Sequence, residues 1–400
     1  MRETFDYLRG LSQDPDHIDC DKLLDAFMEE LCAAERGEES SLSHIPSFLA
    51  ASRRAETPRR VAAVDAGGTN LRIAVLESEG GGVPSIVSVK KYPMPGRDRP
   101  LSADEFFDTL AGLIDTDAPG IPDVGISFAY KGEITPGGDY IIEGMCKEVT
   151  VIGIEGRSLA EGLNDAFSRR GTSGRRIRTV NDTAACLMGS VSRQELFSCG
   201  AAVGMVLGTG FNICYRLDLK SDDDIAPDII VTESGFFDKI PRGEIDIELD
   251  RSSAIPGDHI TEKMISGRYL SEIFNLVMDR AQRDGISVSP ERAEDSSYLD
   301  GLLRYSDEDS FERRVASGIV RRSAMIASVC VAASVIYSMR EDSSDAVIVV
   351  EGSTVLRMCG FMDIFTGMLD RILTEKRGIS YRIFSGDDSV LTGTAGAAMM

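Results

Sequence analysis

The chain has 400 residues, a net charge of −22, 42% hydrophobic and 27% charged side chains, the balance of a water-soluble protein long enough to form two domains. Such acidity excludes the basic excess that nucleic acid or an anionic lipid surface requires, so any phosphate-bearing ligand must be held by a locally positive site. Eight cysteines without a Cys-x-x-Cys pair, and three histidines far apart, exclude zinc-type ligand spacing.

In chain order, residues 1–58 read as a helical lead-in, with Leu23, Leu24, Phe27 and Leu31 forming an apolar stripe at helical spacing. The charged opening from Arg2 onward lacks a signal-peptide core; with the dispersed cysteines this predicts a cytoplasmic protein with reduced thiols. A polar break at 35–43 and a turn at Pro46 precede a strand at 61–64, a glycine-rich turn at 65–70 and a strand at 71–76. Gly80-Gly81-Gly82 is a further turn, followed by a strand at 86–90, a helix at 103–114 and a strand at 124–129. The second half repeats this grammar: strand 201–207, the turn Gly208-Thr209-Gly210, and strands at 212–217 and 229–232. Helices at 260–283 and 317–338, a strand at 347–350, a helix at 362–376, a strand at 381–384 and a terminal helix complete it. The stretch 323–339 is the most membrane-like, but it is short and rich in Ala and Ser, so a buried core helix is expected and no membrane partner. Two α/β halves of similar build place ligands at strand ends, in a crevice between the halves.

Three motifs carry chemistry. In Asp65-Ala66-Gly67-Gly68-Thr69-Asn70-Leu71-Arg72 the glycines admit a sharp turn whose amide N–H groups approach an anion. Asp65 is suited to hydrated magnesium, and Thr69 and Arg72 to phosphate oxygens; the same residues read equally as a hairpin turn with a capping Asp. Gly208-Thr209-Gly210 is a second turn of the same build, and two such turns could grip a polyphosphate from both sides. No Gly-x-x-x-x-Gly-Lys-Ser/Thr loop occurs, which excludes the P-loop. Asn181-Asp182-Thr183, after an apolar strand, reads either as a helix N-cap or as a general base over a bound hydroxyl. Asp222-Asp223-Asp224 reads as a solvated loop rather than a metal site, and His259 as a helix-start residue.

Asp65-x-Gly-Gly-Thr-Asn-x-Arg72, Val180-Asn-Asp-Thr183, Gly208-Thr-Gly-x-Asn-x-Cys-Tyr215 and the run from Glu262 to Ile273 occur in one order. Together they resemble the eukaryotic-type hexokinases and glucokinases of the actin-like ATPase superfamily. Ile45-Pro46-Ser47-Phe48, Glu351-Gly352-Ser353 and Gly393-Thr394-Ala395-Gly396 extend the resemblance over nearly the whole chain. It implies an α/β, ribonuclease H-like duplicated fold with a small and a large domain around a central cleft, closing over sugar and ATP. Residues 1–60 would pack on the large domain, 61–182 form the small domain and 183–400 the large one.

The resemblance implies an ATP:hexose 6-phosphotransferase using ATP and Mg2+, with Asp182 as base toward the 6-hydroxyl and Lys147 as the other catalytic residue. Ser127, Cys146, Lys147, Asn181, Asn212, Glu233 and Glu262 would bind the sugar. Asp65, Gly67, Gly68, Thr69, Asn70, Arg72, Gly208, Thr209, Gly210, Gly352 and Ser353 would bind the nucleotide, with Asp65 holding the metal through water. The chain departs from the family where Pro-Cys usually follows the Ser, here Phe128-Ala129-Tyr130, and where Thr usually stands, here Cys146. Ser234 replaces the usual Trp, and Asp387-Asp388-Ser389-Val390 the usual Asp-Gly-Ser-Gly. Two alternatives therefore stay open: a sugar-sensing regulator with weak or no catalysis, and a kinase for an amino sugar or ketose. A general actin-like or chaperone-type ATPase would not need Lys147, Asn181 and the glutamate pair together.

Overall fold

The computed structural model describes residues 2–48, 58–67, 70–79, 83–145, 149–191, 193–220, 225–386 and 388–399. Gly80-Gly81-Gly82 and Asp222-Asp223-Asp224 lie outside them. The chain forms two units interleaved along the sequence, one of 45–199, 214–231 and 384–400, the other of 1–44, 200–213 and 232–383.

The unit that begins at residue 45 is built on a five-stranded sheet. Apolar residues at every position from Val61 to Val64 suit a strand buried on both faces, and they form Arg59–Gly67, which pairs antiparallel with Asn70–Ser78. The strand order is Arg176–Val180, Asp123–Phe128, Arg59–Gly67, Asn70–Ser78, Ser85–Pro93, and the first three run parallel. One face packs on helices Ala103–Asp117 and Leu159–Arg169 through Phe106, Phe107, Leu110 and Leu163; the other face packs Val61, Ala63, Ala74 and Leu76 against Leu391, Ala395 and Met399 of the chain's end. That burial is why residues 384–400 belong with this sheet. The last helix, Ser389–Ala398, also crosses helix Asp182–Ser190 backbone to backbone. A Cβ on Gly393 would fall 1.8 Å from the Ala185 carbonyl oxygen, and one on Gly189 1.8 Å from that of Ser389.

In the other unit, strands Ala201–Leu207 and Asp345–Glu351 run parallel, with Val206 beside Glu351. The lead-in stripe is as expected: helix Cys20–Glu35 starts on an Asp19 cap and buries Leu23, Leu24, Phe27 and Leu31, Phe27 meeting Phe237 edge-on at 4.9 Å. Helix Phe311–Ser338 is the one described helix long and apolar enough to cross a membrane, and 89% of its most apolar window is buried within the protein. Its Arg322, 2% exposed, is bonded to Asp246 and Gln13, each at 2.5 Å, which satisfies a buried charge.

Two expected helices differ. The stretch 260–283 is two helices, Ile260–Ile265 and Gly267–Arg283, broken where Ser266 is extended (ψ 151°). The Gly267 amide there donates to the Gly208 carbonyl at 2.7 Å, a tertiary bond that helical spacing cannot reveal. The helix expected at 362–376 is α-helical over Phe361–Leu369 and continues as a π-helix over Asp370–Glu375.

Candidate active site

In the sheet of the first unit, Asp65, Ser127 and Val180 stand side by side in register across three parallel strands, near their carboxyl ends. Such ends are where α/β sheets bind ligands. Asp65 is buried, and the Arg72 guanidinium grips its Oδ2 with Nε and one Nη, both at 2.8 Å. The other Arg72 Nη reaches Asp388 at 3.3 Å. Gly67 leaves room for this arrangement, since a Cβ there would sit 3.2 Å from Asp65 Oδ1. The Ser127 hydroxyl is fully buried and has no hydrogen-bond partner among the described residues.

One residue past Val180, Asn181 caps helix Asp182–Ser190 by accepting from the Thr183 amide at 2.8 Å. Asp182 is half-buried, and its Oδ1 accepts from the same amide at 2.8 Å and from the Thr183 hydroxyl at 3.2 Å. No described residue bonds its Oδ2. The motif is thus a cap and a candidate base at once: Asn181 does the capping, and Asp182 keeps one carboxylate oxygen for other work. Asn70 lies opposite Gly67 at the end of the hairpin. Gly68, Thr69, Cys146 and Lys147 lie outside the described residues.

In the second unit, the turn after strand Ala201–Leu207 closes with a bond from the Gly208 amide to the Gly210 carbonyl at 3.0 Å. The Gly208 carbonyl also accepts from the Thr354 hydroxyl at 3.0 Å. Gly352 (φ 115°) touches the same turn, since a Cβ on it would lie 2.2 Å from the Leu207 carbonyl oxygen; only glycine fits that backbone and that space. Gly208, Thr209, Gly210, Gly352 and Ser353 therefore come together, with Thr209 exposed. Thr354, which anchors the turn from below, was not singled out by the sequence; its place directly after Gly352-Ser353 was the available signal.

The strand leaving this turn organises both glutamates. The Phe211 amide donates to Glu262 Oε2 at 3.0 Å, and Gly210 has no room for a Cβ, which would lie 2.8 Å from that oxygen. Asn212 Nδ2 donates to Glu233 Oε1 at 3.1 Å, while its Oδ1 accepts from the amides of Ile213 (2.8 Å) and Ser234 (3.2 Å). Glu233 is left-handed (φ 51°), uncommon for a side chain of this kind. Ser234 is buried, with its hydroxyl 2.5 Å from that of Thr232. His259 stands at the start of the helix that carries Glu262, as expected, without a side-chain capping bond, and its ring lies 3.9 Å from that of Phe236.

The residues present fit magnesium and a nucleotide phosphate. Asp65, a buried carboxylate at a strand end, is of the type that joins phosphates in holding magnesium. The glycine turn with Ser353 beside it offers the close backbone approach a phosphate needs.

Two sequence-family models, both described as hexokinase, match residues 13–192 and residues 202–301 with 290–400. Hexokinase-1 of Schizosaccharomyces pombe is 26% identical over 426 aligned residues, spanning 94% of this chain and 86% of that relative. Hexokinase-2 of Candida albicans is 30% identical over 239 residues, 54% of this chain and about half (48%) of the relative's length. A Schistosoma mansoni hexokinase, solved complexed with glucose, superposes with a TM-score of 0.79 at 22% identity, covering 100% of this chain and 99% of that one. A ROK-family glucokinase of Streptomyces griseus, solved with glucose and AMPPNP, gives a TM-score of 0.52 at 19% identity, covering 84% and 98%. These likenesses show the duplicated α/β, ribonuclease H-like fold of sugar kinases. With both hexokinase models together spanning nearly the whole sequence, this chain belongs to the hexokinase family.

Proposed function

We propose that the protein transfers the γ-phosphoryl group of ATP to the 6-hydroxyl of a hexose such as glucose, with mannose and fructose as further candidates. The observation that carries the reading is Asp182, the first residue of the helix that follows strand Arg176–Val180, with Oδ1 tied to Thr183 and Oδ2 bonded by no described residue. Oδ2 accepts the proton of the 6-hydroxyl as its oxygen bonds to phosphorus; the bridging oxygen–phosphorus bond breaks and ADP leaves. Ser127, Cys146, Lys147, Asn181, Asn212, Glu233 and Glu262 bind the hydroxyls, because a polyol is recognised by donors and acceptors that are costly to leave unpaired. The buried, unpartnered Ser127 hydroxyl supports that assignment.

The nucleotide is assigned to Gly67, Gly68, Thr69, Asn70 and Arg72 with Gly208, Thr209, Gly210, Gly352 and Ser353. Asp65 would hold magnesium through water, and the ion would supply charge neutralisation at the phosphates. Arg72 orients Asp65 through its two-pronged bond. A cytoplasmic setting is part of the proposal, resting on eight cysteines dispersed without a Cys-x-x-Cys pair.

The test is ADP release by purified protein with Mg-ATP against glucose, mannose, fructose, glucosamine and N-acetylglucosamine, with sugar-free and Asp182→Asn controls. Sugar-dependent turnover is expected, with kcat lowered about 10²- to 10⁴-fold in Asp182→Asn and the melting temperature retained. A near-normal rate in that variant removes Asp182 from the role of base. No turnover with any sugar, but thermal stabilisation by one, replaces the kinase with a sugar sensor.

A further inference from the structure

Helix Ile260–Ile265 has six residues, between a left-handed His259 (φ 48°) and the break at Ser266. So short a helix has too few internal hydrogen bonds to hold itself. The direction in which Glu262 points is therefore set by the tertiary anchors of its neighbours. The Thr261 hydroxyl donates to the Phe237 carbonyl, and the Ser323 hydroxyl to that of Ile265. The strongest anchor is Lys263, only 2% exposed, whose ammonium donates to Asp250 Oδ1 at 2.6 Å and to the Ile255 carbonyl at 2.7 Å. Asp250 is held in turn by the Gly257 amide at 2.9 Å and faces Arg242 at 3.5 Å.

Neither Lys263 nor Asp250 belongs to the set assigned to hexose or nucleotide. Burying an ammonium and a carboxylate contributes little net stability over apolar side chains of similar size, because desolvation offsets the attraction. What the pair supplies and an apolar pair lacks is direction. Two short bonds from one nitrogen fix Lys263 to helix Glu244–Ser252, which carries Asp250, and to the loop after it. Successive helical residues point about 100° apart, so fixing residue 263 fixes the bearing of residue 262. Among the described residues, the Glu262 side chain has one hydrogen bond to guide it, from the Phe211 amide.

We propose that Lys263, through its buried ion pair with Asp250, is a positioning residue that sets the rotation of helix Ile260–Ile265 and thereby aims Glu262 at the hexose. This rests on the reading of Glu262 as a hexose-binding residue. The ion pair is a bracket for specificity and affinity, not a catalytic group.

The experiment compares three forms of the full chain: Glu262→Gln, the paired change Lys263→Met with Asp250→Leu, and all three substitutions together. The paired change removes both charges while keeping similar volume, so its melting temperature is expected near that of the wild type. Its hexose KM is expected to rise at least about five-fold, the scale of coupling between neighbouring residues, with kcat changed less than about two-fold. Added to Glu262→Gln, it raises KM no further, because the residue being aimed is already impaired. A wild-type KM in the paired variant overturns the proposal, and so does an effect that simply adds to that of Glu262→Gln. Should Glu262→Gln alone leave KM unchanged, the hexose role of Glu262 fails and the proposal with it. If the paired variant does not fold, Asp250→Asn takes its place, keeping volume and an acceptor. It must raise hexose KM with kcat held, and a wild-type KM there overturns the proposal.

Discussion

At the scale of single residues, Asn212 shows how one amide brackets a turn. Its oxygen satisfies two backbone amides and its nitrogen holds a glutamate whose backbone is left-handed. Asn212→Ala leaves those amides unpaired, at a cost of about 1–3 kcal/mol. A corresponding rise of roughly ten- to hundred-fold in hexose KM is expected, larger than the change in kcat, and steady-state kinetics would read the split. Asp250 gives a second prediction, in pH. Burial pushes its carboxyl up, but the Lys263 ammonium and the Gly257 amide outweigh burial and hold it below the usual 3.8. A depressed folded-state value means the unfolded chain binds the proton more readily. The stabilisation is thus complete above 3.8 and is lost as pH falls through the lower folded-state value. In urea titrations the gap between wild type and Asp250→Asn should be wide at neutral pH and close below that point. A gap that stays constant would show that charge plays no part.

At the scale of elements, the helix that begins with Asp182 depends on the last helix of the chain. Gly393 and Gly189 let their backbones approach as no larger residue could, and the Thr392 hydroxyl donates to the Gly189 carbonyl at 3.0 Å. Gly393→Ala forces the pair apart, because the methyl would overlap the Ala185 carbonyl. Overpacking of this kind costs about 1–3 kcal/mol, so a lower melting temperature is expected together with a lower kcat, as Asp182 moves with its helix. An unchanged melt would mean that the two helices separate without strain. The elements themselves were largely legible. The stripe at Leu23, Leu24, Phe27 and Leu31 and the run at 61–64 declare their burial through nearby residues alone. The break at Ser266 did not, because its cause is a carbonyl at residue 208.

At the scale of the whole molecule, a ligand that binds only the folded protein raises its stability by mass action. Hexose at about one hundred times its dissociation constant adds about 2.7 kcal/mol, so a melt should shift upward by several degrees with a phosphorylatable hexose and not with an unrelated polyol. Asp182→Asn should retain that shift, since it removes the base and keeps the volume. The motifs at Asp65, Asn181-Asp182 and Gly208-Thr209-Gly210, and with them the family, were determined by the sequence, because a turn that must approach a phosphate or end a strand is encoded by the few residues that form it. The tertiary structure alone decided that residues 384–400 belong with the first sheet, that Thr354 anchors the turn at Gly208, and that Lys263 meets Asp250. Those partners are far apart in the chain, and they are selected by burial and by the need to satisfy polar groups, which no local pattern records.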